Sequence, residues 1–396
     1  IKKVITQEEE RFRRTLDRGV EELEAELSKL PEGGVLPGGV VFYLKATLGL
    51  PDQVTKDIVE ERGYSVDMAG FRAAEAEHAI RSGGGQAMGE IDAVNVYKDT
   101  LAQLQAGGAL ASRGVVYNPY GSLQVEDQVR AILQDGQRVN SAIAGDKVEI
   151  VLGATPFYVE AGGQVSDTGV IIGDGWRVEV EDTRRPVGGL IVHIGEVVEG
   201  QPREGDTALA SVDAGRRMDI LRNHTATHLL HAALRKNLGS HVQQRGSLVA
   251  PDRLRFDFAH DAKMTPDELR AVEAQVNDVI MANYEVCAVE KPLAEARAEG
   301  AMALFGEKYG DTVRTISIIG NEDSRYSYEL CGGTHVSETA EIGPFLIVSE
   351  GSVSAGIRRI EALTGSAAMH YIQNSRGALA HLAARLGAAP EHVEER

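Results

Sequence analysis

The spacing of hydrophobic positions along this 396-residue chain changes twice, and each change marks an expected boundary. In the first stretch Phe12, Leu16, Val20, Leu23, Leu27 and Leu30 recur every three or four residues behind an acidic turn, which is one face of a helix. Pro31-Glu32-Gly33-Gly34 ends that helix. A second helix is expected over Asp52–Arg62, closing at Gly63. A third is expected from Asp67 as N-cap and includes Phe71. Ser82–Gly85 reads as a flexible connector. Residues 1–110 are therefore expected to form a helical region.

Near Gly114 the period shortens. From there to about Asp206 the chain carries short β-like runs between glycine-rich turns, clearest at Val148–Leu152, Gly169–Ile172, Arg177–Val180 and Leu190–Ile194. Many short strands with such turns predict a small barrel or sandwich over residues 111–210. Residues 211–365 mix both periods. Leu221–Asn237 predicts a helix and Leu254–Phe258 a strand. Thr265-Pro266-Asp267-Glu268 predicts a helix start, with a Thr cap, Pro in the first position and acids next. Ile372, Leu379, Leu382 and Leu386 form the stripe of a last helix, in a segment 366–396 that opens a C-terminal helical region. The fold class expected is α+β and multidomain, with a helical N-terminal region, a β-barrel-like segment and an α+β domain. No internal repeat or low-complexity tract interrupts this order.

Composition narrows the function classes. Hydrophobic residues make up 43% and charged residues 25%, the balance of a globular protein. Cys287 and Cys331 are the two cysteines, too few for a disulfide framework, and they suggest a reducing, cytoplasmic setting. No apolar run reaches the roughly 20 residues of a membrane helix. The first residues, IKKVITQEEERF, lack an apolar core for a signal peptide. They also lack an initiating Met, so the chain is expected to start partway into a longer protein. The formal net charge of −18 argues against nucleic acid as a partner. The stretch Asp213–Lys263 departs from it, with nine basic residues against five acidic ones, enough for a local phosphate-binding surface.

Two motifs carry the chemistry. HTATH holds His224 and His228, and CGGTH holds Cys331 and His335. Both pairs are spaced i, i+4, which on a helix places two side chains on one face a turn apart. Three imidazoles and a thiolate form a borderline-soft tetrahedral set suited to one Zn2+ ion. Thr225 follows His224 where a zincin has its catalytic Glu, so a metalloprotease is disfavoured. Four protein ligands ordinarily close a structural site, so the pattern leaves both a catalytic and a structural metal open. His231 continues the helical stripe as a neighbour or an outer partner. Thr227 and Gln244 are the nearby polar residues.

RNHTATHLLHAAL, HVQQRGSLV, LRFDF, GAMALFGEKYG, ELCGGTH and GIRRIEA, in this order, resemble the editing domain of the alanyl-tRNA synthetase family. TPFYVEAGGQVSDTG resembles the β-rich segment preceding that domain, with Val159 and Ala161 as departures. EEERFRRTLDRG resembles the helical tRNA-recognition region. Residues 44–51, LKATLGLP, depart from the family's YDTYGFP, so no role is carried to them. The resemblance implies an internal part of a bacterial-type synthetase that hydrolyses mischarged Ser-tRNA(Ala) and Gly-tRNA(Ala). The aminoacylation core, with its ATP and Mg2+, would lie outside. It further implies His224, His228, Cys331 and His335 as Zn2+ ligands, and Thr227, Gln244 and Cys331 as the catalytic group. Arg222, Arg245, Arg358 and Arg359 would contact tRNA(Ala). Rival readings are a free-standing editing protein, a threonyl-tRNA synthetase editing domain, and a nonenzymatic tRNA-binding module with structural zinc.

Overall fold

The computed structural model describes residues 19–31, 33–48, 50–72, 74, 88–303, 309–320 and 324–395. The expected helix residues Phe12 and Leu16, the connector Ser82–Gly85 and the Leu304–Lys308 part of GAMALFGEKYG lie outside them. The chain separates into two compact units, Ile1–Asn95 and Val96–Arg396.

The first unit is built from α1 (19–27), β1 (Val35–Leu36), α2 (Gly38–Leu48), α3 (Asp52–Glu61), β2 (Ser65–Val66) and α4 (68–72). The stripe residues Leu23 and Leu27 meet Leu36, Val41, Leu44, Val59 and Phe71 in one apolar core. The second helix ends as its pattern predicts: Gly63 adopts φ +80° just beyond Arg62. Asp67 caps the next helix by accepting the Gly70 N–H at 2.8 Å.

The second unit begins within α5 (Met88–Ala106), whose Val96, Tyr97, Leu101 and Leu104 pack against a β-barrel. The β-rich segment runs β3 (Val116–Tyr117), β4 (Gln124–Gln134), β5 (Gln137–Val139), β6 (Lys147–Leu152), β7 (Ala154–Thr155), β8 (Gly169–Gly173), β9 (Trp176–Val187), β10 (Leu190–Glu199) and β11 (Thr207–Val212). The barrel order is β11-β8-β9-β10-β6-β4, and β4 pairs back onto β11, so these six strands close on themselves. Closure leaves no exposed sheet edge among the six. Ile132, Val148, Ile150, Leu152, Ile171 and Val178 fill the interior. At the β4–β5 turn, Asp135 and Gly136 both take positive φ, the backbone of a two-residue hairpin.

Beyond the barrel, α6 (Ala214–Leu238) is the axis of an α+β layer. It packs against β12 (Gln244–Val249), β13 (Leu254–Ala259), α7 (Pro266–Ala282), β16 (Arg325–Leu330) and β18 (Ile357–Thr364). β14 (Glu285–Pro292), α8 (Leu293–Ala298), β15 (Thr312–Ile319), β17 (Phe345–Ser354) and α9 (Gly365–Leu386) complete the chain. The strands form two antiparallel sheets, β12-β13-β18-β17 and β14-β15-β16. The capping signals around Thr265 form a reciprocal box with Glu268, with Pro266 in the first turn. α6 starts at Ala214 rather than Leu221, because Asp213 accepts the Arg216 N–H at 3.0 Å and caps it there. α9 stops where Gly387 turns left-handed at φ +61°, short of the continuous helix expected to residue 396.

One buried ion pair fastens the start of α6 to the barrel. Arg217 is 4% exposed and Asp167 is 1% exposed. The guanidinium grips the carboxylate and also donates to the carbonyls of Pro119 at 2.8 Å and Pro156 at 3.0 Å. The same carboxylate accepts the Tyr158 N–H at 2.6 Å. With these hydrogen bonds made, the desolvation cost of both charges is offset; removing one partner strands the other. Arg217→Ala is expected to destabilise this unit by about 3–5 kcal/mol. A denaturant titration following helix signal measures it, and a loss within ~0.5 kcal/mol would contradict this account of the junction.

Candidate metal centre

Residues from three distant segments meet around the middle of α6. Asn223 to His231 is buried without a break, which is the signature of a helix enclosed on all sides rather than resting one face on a core. His224 and His228 stand one turn apart with their rings stacked 5.5 Å between centroids. Cys331 and His335 come from the segment after β16. Unlike the first pair, this second pair does not lie on a helix. CGGTH is irregular backbone between β16 and a short 3₁₀ turn, and its glycines let it fold back over α6. Gly333 shows why. A Cβ there would lie 1.9 Å from His224 Cε1, whereas one at Gly332 meets nothing within 4 Å.

One ligand atom from each of His224, His228, Cys331 and His335 lies within 4.8 Å of the others. Cys331 Sγ is 3.3 Å from His224 Nε2 and 3.4 Å from His335 Nε2. Each imidazole is oriented from behind through its other nitrogen. His224 Nδ1 is 2.7 Å from Gln164 Oε1, which also accepts the Thr334 N–H at 2.9 Å. Gln164 Nε2 in turn donates to Thr334 Oγ1 at 2.9 Å, so the amide is fixed with its oxygen toward the ring. His335 Nδ1 is 3.3 Å from Thr225 Oγ1, whose own proton goes to the Leu221 carbonyl at 2.9 Å. His228 Nδ1 is 3.0 Å from Glu329 Oε2, and His231 Nδ1 is 3.0 Å from Glu329 Oε1. All three acceptors take a proton from Nδ1. In each neutral ligand ring the Nε2 lone pair therefore faces the sulfur.

The electrostatics match a cation at the centre. Burial opposes ionisation of the Cys331 thiol, but the neighbouring His224 and His335 outweigh it and hold the thiol well below 9.0. Burial lowers His228, yet the Glu329 carboxylate and the Cys331 sulfur raise it to about 10. Burial, first of all, and the neighbouring His224 push His335 down to about 3. Among the described residues, His228 Nε2 is a buried atom with no hydrogen-bond partner. A thiolate among three imidazole nitrogens fits a borderline-soft divalent ion, and an N₃S set is compatible with zinc.

A cavity of about 200 Å³ opens against this cluster. His224, His228 and Cys331 form part of its wall, with Thr227, Gln244, Ser247, Tyr158 and the glycines 162, 332 and 333. Both sequence-proposed polar residues therefore face the same space as the cluster. Thr227 Oγ1 gives its proton to the Asn223 carbonyl at 2.8 Å, so it offers the cavity lone pairs. Gln164 reaches the site because the loop 161–165 docks on β12: Val249 N–H donates to the Gly163 carbonyl at 2.7 Å, and Val165 N–H to Val249 at 3.1 Å.

The four arginines proposed for phosphate contact are dispersed. Arg222 bonds Asp219 at 2.8 Å and the Glu341 carbonyl at 2.8 Å. Arg358 bonds Glu350 at 2.6 Å, and Arg359 makes a two-pronged contact with Asp257 at 2.6 and 2.8 Å. Arg245 is exposed on β12 beside Gln244. The residues that sequence reasoning missed are Gln164 and Glu329. Both lie inside quoted motifs, AGGQ and ELCGGTH, but neither has the spacing of a ligand.

Two substitutions test this geometry. Gln at 329 offers one acceptor oxygen where two rings each need one. Glu329→Gln is therefore expected to weaken zinc about 10–100-fold in a chelator-competition titration, with the helical circular dichroism signal kept. Unchanged affinity would remove Glu329 from the centre. Gly333→Ala is expected to displace the His224 ring and weaken zinc by at least the same factor. Gly332→Ala should match the unmodified protein in the same titration. Equal behaviour of the two alanine variants would contradict the close approach at Gly333.

Comparison with known proteins follows this geometry. The family described as tRNA synthetases class II (A) matches residues 1–216. That described as threonyl and alanyl tRNA synthetase second additional domain matches residues 313–361, which include CGGTH. An alanine--tRNA ligase of Cereibacter sphaeroides is 46% identical over 404 residues, covering 100% of this chain and 45% of the relative. One from Thermus thermophilus is 47% identical over 398 residues, covering 100% and 44%. One from Chloroflexus aurantiacus is 46% identical over 399 residues, covering 98% and 44%. The chain spans less than half the length of these relatives. Among the described residues no helix is long and apolar enough to cross a membrane. Similar along its whole length to alanine--tRNA ligases and matched over more than half of it by the synthetase profile, the chain belongs to the class II (A) tRNA synthetases.

Proposed function

We propose that this part of an alanine--tRNA ligase is its editing hydrolase, cleaving the ester of Ser-tRNA(Ala) and Gly-tRNA(Ala) beside a zinc ion held by His224, His228, Cys331 and His335. The observation that carries the reading is the cavity whose wall joins three of those ligands to Thr227 and Gln244. The need for such a site follows from selectivity. A pocket shaped for alanine cannot strongly reject glycine or an added hydroxyl, since one such group is worth only ~1–3 kcal/mol. A second site must then read the difference.

Thr227 Oγ1, its proton committed to Asn223, accepts a hydrogen bond from the serine hydroxyl or the substrate ammonium. Gln244, on the facing strand, brings a second polar group to the same cavity. Alanine in this space leaves those groups unpaired, which costs binding. Glycine has no hydroxyl to read, so its hydrolysis rests on fit alone. Zinc, when bound, would supply Lewis acidity at the cavity wall. The chain's own residues place the ester: Cys331, His224 and His228 on one side, Thr227 and Gln244 around the amino acid. Arg222, Arg245, Arg358 and Arg359 remain the proposed phosphate contacts. For Arg222, Arg358 and Arg359 the phosphate has to compete with a bonded carboxylate.

A second reading has one observation in its favour. Four protein donors complete a tetrahedral site, as in structural zinc centres, and that suits a nonenzymatic tRNA-binding module. Deacylation separates the two. The purified protein is expected to hydrolyse Ser-tRNA(Ala) and spare Ala-tRNA(Ala), with chelator or Cys331→Ala reducing the rate to background. Hydrolysis of serine at the unmodified rate in Cys331→Ala would sink the assignment. Background rates for both charged tRNAs in the unmodified protein would favour the binding module.

A further inference from the structure

Tyr120 is 45% exposed and absent from the chemistry above, yet it is fixed against the cavity wall. Its phenol donates to the Gly332 carbonyl at 2.7 Å, and Gly332 is a wall residue of the cavity. The Arg314 guanidinium lies 4.1 Å above the ring centroid. Arg314 also donates to the carbonyls of Cys331 at 3.2 Å and Gly333 at 2.7 Å. The turn carrying Tyr120 is itself held from below, where Arg217 donates to the Pro119 carbonyl and Asn118 Oδ1 accepts the Tyr120 N–H at 3.2 Å. A solvent-exposed aromatic ring ordinarily rotates freely. This one is pinned at its hydroxyl, its backbone and one face.

We propose that Tyr120, backed by Arg314, is a stacking platform for the purine base of the nucleoside whose ester enters the cavity. This rests on the hydrolytic reading and names a subsite beside it. An ester at the terminal ribose has its base one sugar away from the scissile carbonyl. Tyr120 is hydrogen-bonded to the wall residue Gly332 without being a wall residue itself, so its ring is placed beside the cavity, where a base one sugar from the ester would lie. Aromatic side chains bind bases through their π-faces without reading sequence, and an adjacent guanidinium strengthens the stack. The plain alternative is that Tyr120 only clamps the CGGTH loop through its hydroxyl.

The test uses serine linked by a stable amide to 3′-amino-3′-deoxyadenosine, and the same compound lacking the base, with the zinc-loaded protein. Tyr120→Leu removes the π-face, and Tyr120→Phe removes only the hydroxyl. The platform predicts that Tyr120→Leu weakens the adenosine compound about tenfold, leaves the base-free compound unchanged, and keeps zinc affinity. Tyr120→Phe keeps most of the base-dependent affinity. If both variants weaken both compounds equally, or lose zinc, Tyr120 is a clamp and the proposal is overturned. Equal binding of the two compounds by the unmodified protein, or no binding of either, also overturns it. Deacylation of Ser-tRNA(Ala), measured separately, decides the hydrolytic reading, so either can fail alone.

Discussion

Three hydrogen bonds, each from an imidazole Nδ1–H to an acceptor behind it, organise the cluster at the middle of α6. Gln164 holds His224, Glu329 holds His228 and Thr225 holds His335. They fix which nitrogen is protonated, and so they aim the unprotonated nitrogens at one sulfur. That arrangement is unfavourable alone, because lone pairs and a thiolate repel at this range and burial deprives them of water. A proton on His228 relieves it partly; a divalent cation relieves it fully. The fold supplies what the cluster itself cannot, a rigid frame that keeps the donors convergent.

The frame is assembled from parts that could not make the site separately. α6 supplies two imidazoles, and the segment after β16 supplies the thiolate and the third. The barrel supplies the amide of Gln164 from a loop that pairs with β12. Arg217 and Asp167 fasten barrel and helix, and Gly333 permits a contact that a methyl group would block. The barrel therefore serves as a template for the centre and also for the turn that carries Tyr120. Its closed, apolar interior is independent of the metal cluster, which lets it act as a fixed reference.

Much of this was legible in the sequence, for identifiable reasons. The four residues that the structure gathers into one cluster stood out because two cysteines are few and each pair is closely spaced. The Thr265 cap and the Asp52–Glu61 helix were legible because capping chemistry is local. The acceptors were not. Gln164 lies 60 residues from His224, and Glu329 lies 98 from His231, so no local period relates them. The early start of α6 was missed because Arg216 and Arg217 interrupt the apolar pattern; Arg217 is buried through a partner, Asp167, 50 residues away. The i, i+4 spacing of CGGTH did not decide its backbone, because spacing that fits a helix also fits a loop whose two glycines allow the same convergence. Gly387 and Pro390 ended the last helix, a stop that the apolar stripe Ile372, Leu379, Leu382 and Leu386 masked.

The most direct test of the central claim is zinc-edge X-ray absorption on the metal-loaded protein. Three imidazole nitrogens and one sulfur predict a first shell at about 2.0 Å for nitrogen and about 2.3 Å for sulfur, in a ratio of three to one. A shell of that composition would establish that the three oriented rings and Cys331 converge on one ion. A shell without sulfur, or with only light oxygen and nitrogen scatterers in six-fold coordination, would contradict it.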